Sequence, residues 1–336
     1  FQSCYRLTSI TIPDSVTSIG VTAFAGCSNL TSITLGDSVT SIGDNAFVRC
    51  SSLKSIVVST SNPNYSSMGP MLLNKNGTEL LAVPSASGDF MIPDSVTSIG
   101  NNAFYDCYSL ASITIPDSVT SIGNYAFNSC SSLTSITIPD SVTSIGESAF
   151  GRCTGLTSIN IPDGVTSIGN IAFDRCIGLR SINIPDGVTS IGGQVFQDCS
   201  GLSSIIIPDS VTSIGLSAFQ NCISLTSITI PNNVTSIGTF AFIGCTGLTS
   251  ITIPDGVTSI GWGAFRDCTG LRSITIPDSV TSIGNDAFFH CRSLMSIVVA
   301  VDNPNYSSMG SLLLNKNGTV LVAAPTASGD FTIPNN

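Results

Sequence analysis

The chain has 336 residues, 42% of them hydrophobic and only 10% charged, and a formal net charge of −10. It carries no basic run and no aromatic residues interleaved with arginine, which excludes nucleic acid and anionic membrane surfaces as electrostatic partners. No apolar run approaches the roughly 20 residues of a membrane helix, so no membrane insertion is expected of this chain.

The sequence opens in mid-repeat. Phe1 and Cys4 stand where Phe24 and Cys27 stand one period later. Complete 23-residue units then begin at Leu7, Leu30, Leu110, Leu133, Leu156, Leu179, Leu202, Leu225, Leu248 and Leu271, with longer units at Leu53 and Leu294. A fixed period of this size signifies an array of stacked supersecondary units. The chain ends just after the Ile-Pro of a further unit, and neither end has a polar cap, so it reads as a piece of a longer protein. One elongated domain over residues 1–336 is expected.

Within Leu7–Asn29, the segment Ser9-Ile10-Thr11-Ile12 alternates outward and inward with β-branched residues, the mark of a strand with one buried face. Pro13-Asp14 ends it in a turn, the proline fixing φ and the aspartate offering an acceptor to a backbone N–H. Val16 and Ile19 suit a short extended or 3₁₀ piece. The glycine at position 20 recurs in every unit, through Gly43, Gly100 and Gly123 to Gly284, which calls for either positive φ or tight packing. Ala23, Phe24 and Cys27 then predict a short helical return over the core. Phenylalanine forms a column from Phe1 through Phe24 and Phe47 to Phe288. The twelve cysteines form another, one per coil at one position, which reads as a ladder of small buried hydrophobes rather than disulfides or a metal site.

Two units depart from the pattern. After LKSIVV, residues 59–90 are inserted, and after LMSIVV residues 300–331 nearly repeat them. In the first, Met71–Leu73 and Leu80–Val83 flank Asn74-Lys75-Asn76-Gly77, a hairpin signal. Each insertion is therefore expected to be a hairpin projecting from, or extending, the side of the array. It serves either as a spacer or coil variant or as a binding protrusion.

The pattern LxxIxIPxxVxxIGxxAFxxCxx, in register through ten full units, resembles the BspA-like, or Treponema pallidum-type, leucine-rich repeats. The resemblance implies an α/β solenoid: a right-handed leucine-rich-repeat superhelix with parallel strands, short 3₁₀ or helical returns and two hairpin insertions. It also implies a bacterial-type, non-enzymatic protein, cell-surface or secreted. Such a protein binds protein or glycan, for example in host matrix or on a host cell surface, and uses no cofactor. The alternative is a structural stalk that displays another domain.

No catalytic constellation stands against this. His290 adjoins Cys291, but that cysteine belongs to the inward ladder. The aspartate column Asp117, Asp140, Asp163, Asp186 and Asp209 is the one arrangement suited to calcium, although each aspartate also suits its own turn. Serine fills the strand position of Ser9 in every unit, either as a register-keeping ladder or as a polar binding face, with charge beside it at Lys54, Arg180 and Arg272.

Variation concentrates in the pairs flanking Ala-Phe. There Tyr125, Ile171, Leu216, Phe240 and Trp262 on one side, and Tyr105, Ile243 and Phe289 on the other, are candidates for a contact stripe. The plainer reading is that these are ordinary scattered surface hydrophobes.

Overall fold

In the computed structural model, which describes residues 1–309 and 312–324, each regular 23-residue unit makes one coil of a parallel-strand β-solenoid. The chain divides into two compact units, Phe1–Val165 and Thr166–Asn336, each taken by itself.

In the first unit the alternating segments become the parallel strands Ser9–Ile12, Ser32–Leu35 and Ser55–Val58, and then Gly88–Met91, Leu110–Thr114, Ser135–Thr137 and Ser158–Asn160. Register is one coil to the next, with Ser9 opposite Ser32 and Ser32 opposite Ser55. Proline ends each strand because it has no N–H to give the ladder, and the Val16 N–H closes a turn on the Pro13 carbonyl at 3.0 Å. The residues read as extended or 3₁₀ are extended, in two-residue strands such as Ser18–Ile19 and Ser41–Ile42.

The hydroxyl ladder runs beside the strands rather than on the serine column. Thr31 Oγ1 donates to the Thr8 carbonyl at 2.8 Å and Thr120 Oγ1 to the Thr97 carbonyl at 3.2 Å. The second unit repeats this scheme, with strands such as Ser227–Thr229 and Ser250–Thr252 in register and Thr235 Oγ1 bonded to the Thr212 carbonyl at 3.3 Å.

The expected α/β character and the 3₁₀ or helical returns are not what the chain forms. Among the described residues there is no helix. The return segments are chains of turns whose N–H groups alternate in direction. Ala23, Ala25 and Cys27 bond three residues back, to Gly20, Thr22 and Phe24, while Thr22, Phe24 and Gly26 donate to Asp44, Ala46 and Val48 of the next coil. The residue before Ala-Phe and the residue before Cys are left-handed, as at Thr22, Asn45 and Arg49. That conformation cannot propagate a right-handed helix.

Ala, Phe and Cys therefore reach the core as the inward members of a third hydrogen-bonded ladder. Successive phenylalanine rings stack nearly parallel, from 5.0 Å between Phe104 and Phe127 to 5.9 Å between Phe24 and Phe47. The cysteines are free thiols, buried except for half-buried Cys4. In the regular coils the Sγ–H bonds the phenylalanine carbonyl 26 residues earlier, as Cys153 does to Phe127 at 3.1 Å, whereas Cys107, after the first insertion, bonds the Val83 carbonyl at 3.2 Å.

The glycine column answers to packing. Gly238 lies outside the positive-φ region, and a β-carbon on it would come within 2.6 Å of the Gly215 carbonyl carbon.

The first insertion holds two linked hairpins rather than one. Tyr65–Met68, Met71–Asn74 and Glu79–Ala82 form an antiparallel meander, and its last strand pairs in parallel with Ser98–Ile99. Asn74 Oδ1 accepts the Thr78 and Glu79 N–H groups at 2.8 and 3.1 Å, which fixes the Asn-Gly turn. The insertion is anchored by Asn62, which is fully buried. Its Nδ2 donates to the Gly36 and Val39 carbonyls at 2.9 Å, and its Oδ1 accepts from Asn64 and Tyr65 at 2.9 Å. The second insertion repeats the arrangement with Asn303 and with strands Tyr306–Met309, Leu312–Asn315 and Leu321–Ala323. Residues 310–311 and 325–331 of that insertion lie outside the described residues.

Candidate functional site

The variable positions beside Ala-Phe all project from the return ladder, because the inward positions there are taken by Ala, Phe and Cys. Which of them meet depends on the 23-residue column each occupies. In the second unit, Ile243, Arg266 and Phe289 share one column, Phe240 and Gly263 a second, and Leu216 and Trp262 a third.

The structure brings the central members of these columns together. The Phe240 and Trp262 rings lie 4.6 Å apart at 50°. Phe240 leans over Gly263, where a β-carbon would meet its ring edge at 2.6 Å. Arg266 sets its guanidinium 4.7 Å from the centre of the Phe289 ring. Arg266 also reaches Asp286 at 3.4 Å and Asp267 at 3.6 Å. His290 stacks on Phe289 at 3.9 Å and holds Asp267 at 3.1 Å through Nδ1.

The result is a patch of Phe240, Trp262, Arg266 and Phe289. Trp262 is 46% exposed and Phe289 42%, while Phe240 and Ile243 are half-buried beside them. A cation fixed over one aromatic ring beside a second exposed ring combines apolar area with directional polar groups. His290 faces away from Cys291, whose thiol is buried and bonded to the Phe265 carbonyl at 3.0 Å.

Other candidates stand apart from this patch. Leu216 is 51% exposed, two coils before Trp262. Half-buried Ile171 takes φ 60° and donates its N–H to the Gly193 carbonyl. Tyr125 lies in the first unit, where its hydroxyl bonds Glu147 at 2.8 Å. Arg180 and Arg272 are exposed just before the strands Ser181–Asn183 and Ser273–Ile276. They lie in separate coils, away from the return ladder. Arg266 and His290 were missed as candidates, although the signal existed: Arg266 lies 23 residues after Ile243 and 23 before Phe289.

The buried thiols show no nucleophilic poise. Burial pushes Cys153, Cys245 and Cys291 up to about 12. Among the described residues no group of three or more His, Cys, Asp or Glu side chains gathers closely enough to hold a metal ion. No helix there is long and apolar enough to cross a membrane.

Comparison with known proteins agrees with this architecture. The model of the BspA type leucine rich repeat region matches six copies over residues 1–75, 86–203 and 195–308. A leucine-rich repeat protein from Eubacterium ventriosum is similar, at 30% identity over 73% of this chain and 78% of its own, with a TM-score of 0.61. A leucine rich cell surface protein from Faecalibacterium prausnitzii is 36% identical over 89% of this chain and 81% of its own, with a TM-score of 0.53. A leucine-rich repeat protein from Bacteroides ovatus is 28% identical over 89% of this chain and 85% of its own, with a TM-score of 0.50. No curated protein matches the sequence. With its coils, its stacked columns and its family match in agreement, the chain belongs to the BspA-type leucine-rich repeat family.

Proposed function

We propose that this is a non-enzymatic cell-surface or secreted protein that binds a protein or glycan partner, in host matrix or on a host cell, through the return side of the Thr166–Asn336 unit. The observation that carries the reading is the patch in which Phe240, against Trp262, and Arg266, over the Phe289 ring, flank Gly263. Tryptophan and arginine are the side chains that most often dominate the energetics of an interface, and here they sit on a rigid ladder that needs little ordering on binding. The cell-surface description of the Faecalibacterium relative supports the location.

The test is a binding screen of the purified chain against matrix proteins and a glycan array, repeated with Phe240→Ser/Trp262→Ser. Loss of at least tenfold in affinity for a captured partner is expected. Unchanged binding by the double variant would remove the patch from the account.

A spacer that lifts another domain from the cell is the second reading, favoured by the near-identity of the coils. Deletion of one 23-residue unit separates the two. A spacer keeps its partner's affinity, whereas a receptor loses it when the deleted unit is Leu248–Gly270.

A further inference from the structure

The insertion after Leu53 leaves the return ladder of the first unit one rung short. In regular coils the N–H groups at the positions of Thr22, Phe24 and Gly26 donate to the next coil, as Asn102, Phe104 and Asp106 do to Asn124, Ala126 and Asn128 at 2.8 to 2.9 Å. The corresponding donors before the insertion are Asn45, Phe47 and Arg49. Among the described residues they have no acceptor, because after the meander the chain returns only through the short stretch Val83–Ala86, which bonds the following segment and not this one.

Across the gap stands the next return segment. Its Ala103 carbonyl accepts from Val83 at 2.7 Å, while the Asn101 and Tyr105 carbonyls have no partner among the described residues. Asn45 Oδ1 is also shut off from solvent without a partner. Such rows of free N–H and C=O groups are what an open edge of main chain presents, a template on which another chain can pair.

Between the rows lies a cleft of about 260 Å³, with Leu72, Leu81 and Ala82 of the meander among its lining. Arg49 and Asp106 bridge the two return segments at 2.7 Å near one end. Among the described residues, Asp44 and Glu79 are the charged residues that line the cleft, and neither is in an ion pair there.

We infer that this cleft binds a main-chain segment of a partner polypeptide, laid in as the missing rung and carrying a lysine or arginine toward Asp44 and Glu79. Its carbonyls accept from Asn45, Phe47 and Arg49, while Val83 keeps its bond to the Ala103 carbonyl on the opposite wall. This is the logic of strand addition at an open edge, where backbone bonds supply affinity and one side chain supplies choice. The site is separate from the aromatic patch and stands or falls independently of it. Asp286, Phe288 and His290, at the same positions before the second insertion, likewise have no acceptor among the described residues. The wall that would face them lies outside those residues, so the proposal is confined to the first insertion.

Hydrogen exchange on the full chain, read residue by residue, tests it. The probe is a pool of blocked octapeptides with lysine at the fourth position and every residue except proline and cysteine elsewhere. In the free protein, the amides of Asn45, Phe47 and Arg49 should exchange at least tenfold faster than those of Asn102, Phe104 and Asp106. The pool at millimolar concentration should slow them at least tenfold. The same pool with glutamate in place of lysine should not, and Asp44→Asn/Glu79→Gln should abolish the preference while leaving Phe104 exchange unchanged. Equal protection by both pools, or none by either, overturns the proposal. Protection by cellohexaose or chitohexaose but not by peptide assigns the cleft to glycan and overturns it equally.

Discussion

Gly238 and Gly20 occupy the same place in the repeat yet have different surroundings. A β-carbon on Gly238 would be pressed within 2.6 Å of the Gly215 backbone, whereas nothing lies within 4 Å of the corresponding point on Gly20. Gly238→Ala should therefore lower stability by about 1–3 kcal/mol, the usual cost of overpacking. Gly20→Ala should be neutral or raise stability by up to about 1 kcal/mol by restricting the unfolded chain. Urea denaturation of the two variants checks the pair. Asn62 is more sensitive, since its side chain alone satisfies the Gly36 and Val39 carbonyls inside the core. Asn62→Ala should cost about 2–4 kcal/mol by leaving those buried acceptors unpaired. The glycine column was visible in the sequence, but its cause was not, because the clash is with a residue 23 positions away. Asn62 lies outside the 23-residue pattern, and its buried role was not read from the sequence.

The strands were legible because Ser-Ile-Thr-Ile alternates with the period of two that a half-buried strand requires. The return segments were misread because their inward residues, Ala23, Phe24 and Cys27, have spacings that also fit a helical turn. What decides against a helix is the left-handed backbone at Thr22 and Gly26, together with N–H groups that alternate between their own coil and the next. Both depend on the neighbouring coil. The ladder so formed fixes the chemistry of the thiols. In the folded chain Cys50, Cys107, Cys153, Cys245 and Cys291 stay protonated to about pH 12, because burial opposes the thiolate, whereas an unfolded cysteine ionises near pH 8.5. Their stabilising effect is thus complete below about pH 8.5, and it is lost as pH rises toward 12, where the unfolded state has released protons that the folded state still holds. Urea midpoints should accordingly fall steeply above about pH 9, and a Cys153→Ala/Cys245→Ala variant should lose part of that slope. Alkylation by iodoacetamide at pH 8 should be at least a hundredfold slower for Cys153 in the native chain than after denaturation, and equal rates would contradict the buried ladder.

At the scale of the whole molecule, the repeat pattern alone led to the family. The aromatic patch was half legible: Phe240, Trp262 and Phe289 stood out as large residues in variable positions. Arg266 and His290 became members only when the columns were laid side by side. The open rung before the first insertion was invisible, because a missing hydrogen bond leaves no mark in the sequence. Since the Arg266 charge in the patch is already paired with Asp267 and Asp286, binding through it should weaken less than threefold between 50 and 500 mM salt, whereas lysine-dependent binding at Asp44 and Glu79 should fall at least tenfold, because exposed charge pairs are screened over that range. Titrations at both concentrations distinguish the two surfaces. The insertions have one further bearing, on how the chain finds its alignment during folding. Coils this alike can slip by one whole period, placing phenylalanine on phenylalanine and cysteine on cysteine at little energetic penalty. The Asn62 and Asn303 anchors and their meanders break that translational degeneracy: like notches on an otherwise uniform ruler, they exclude shifted pairings that the periodic columns alone would tolerate.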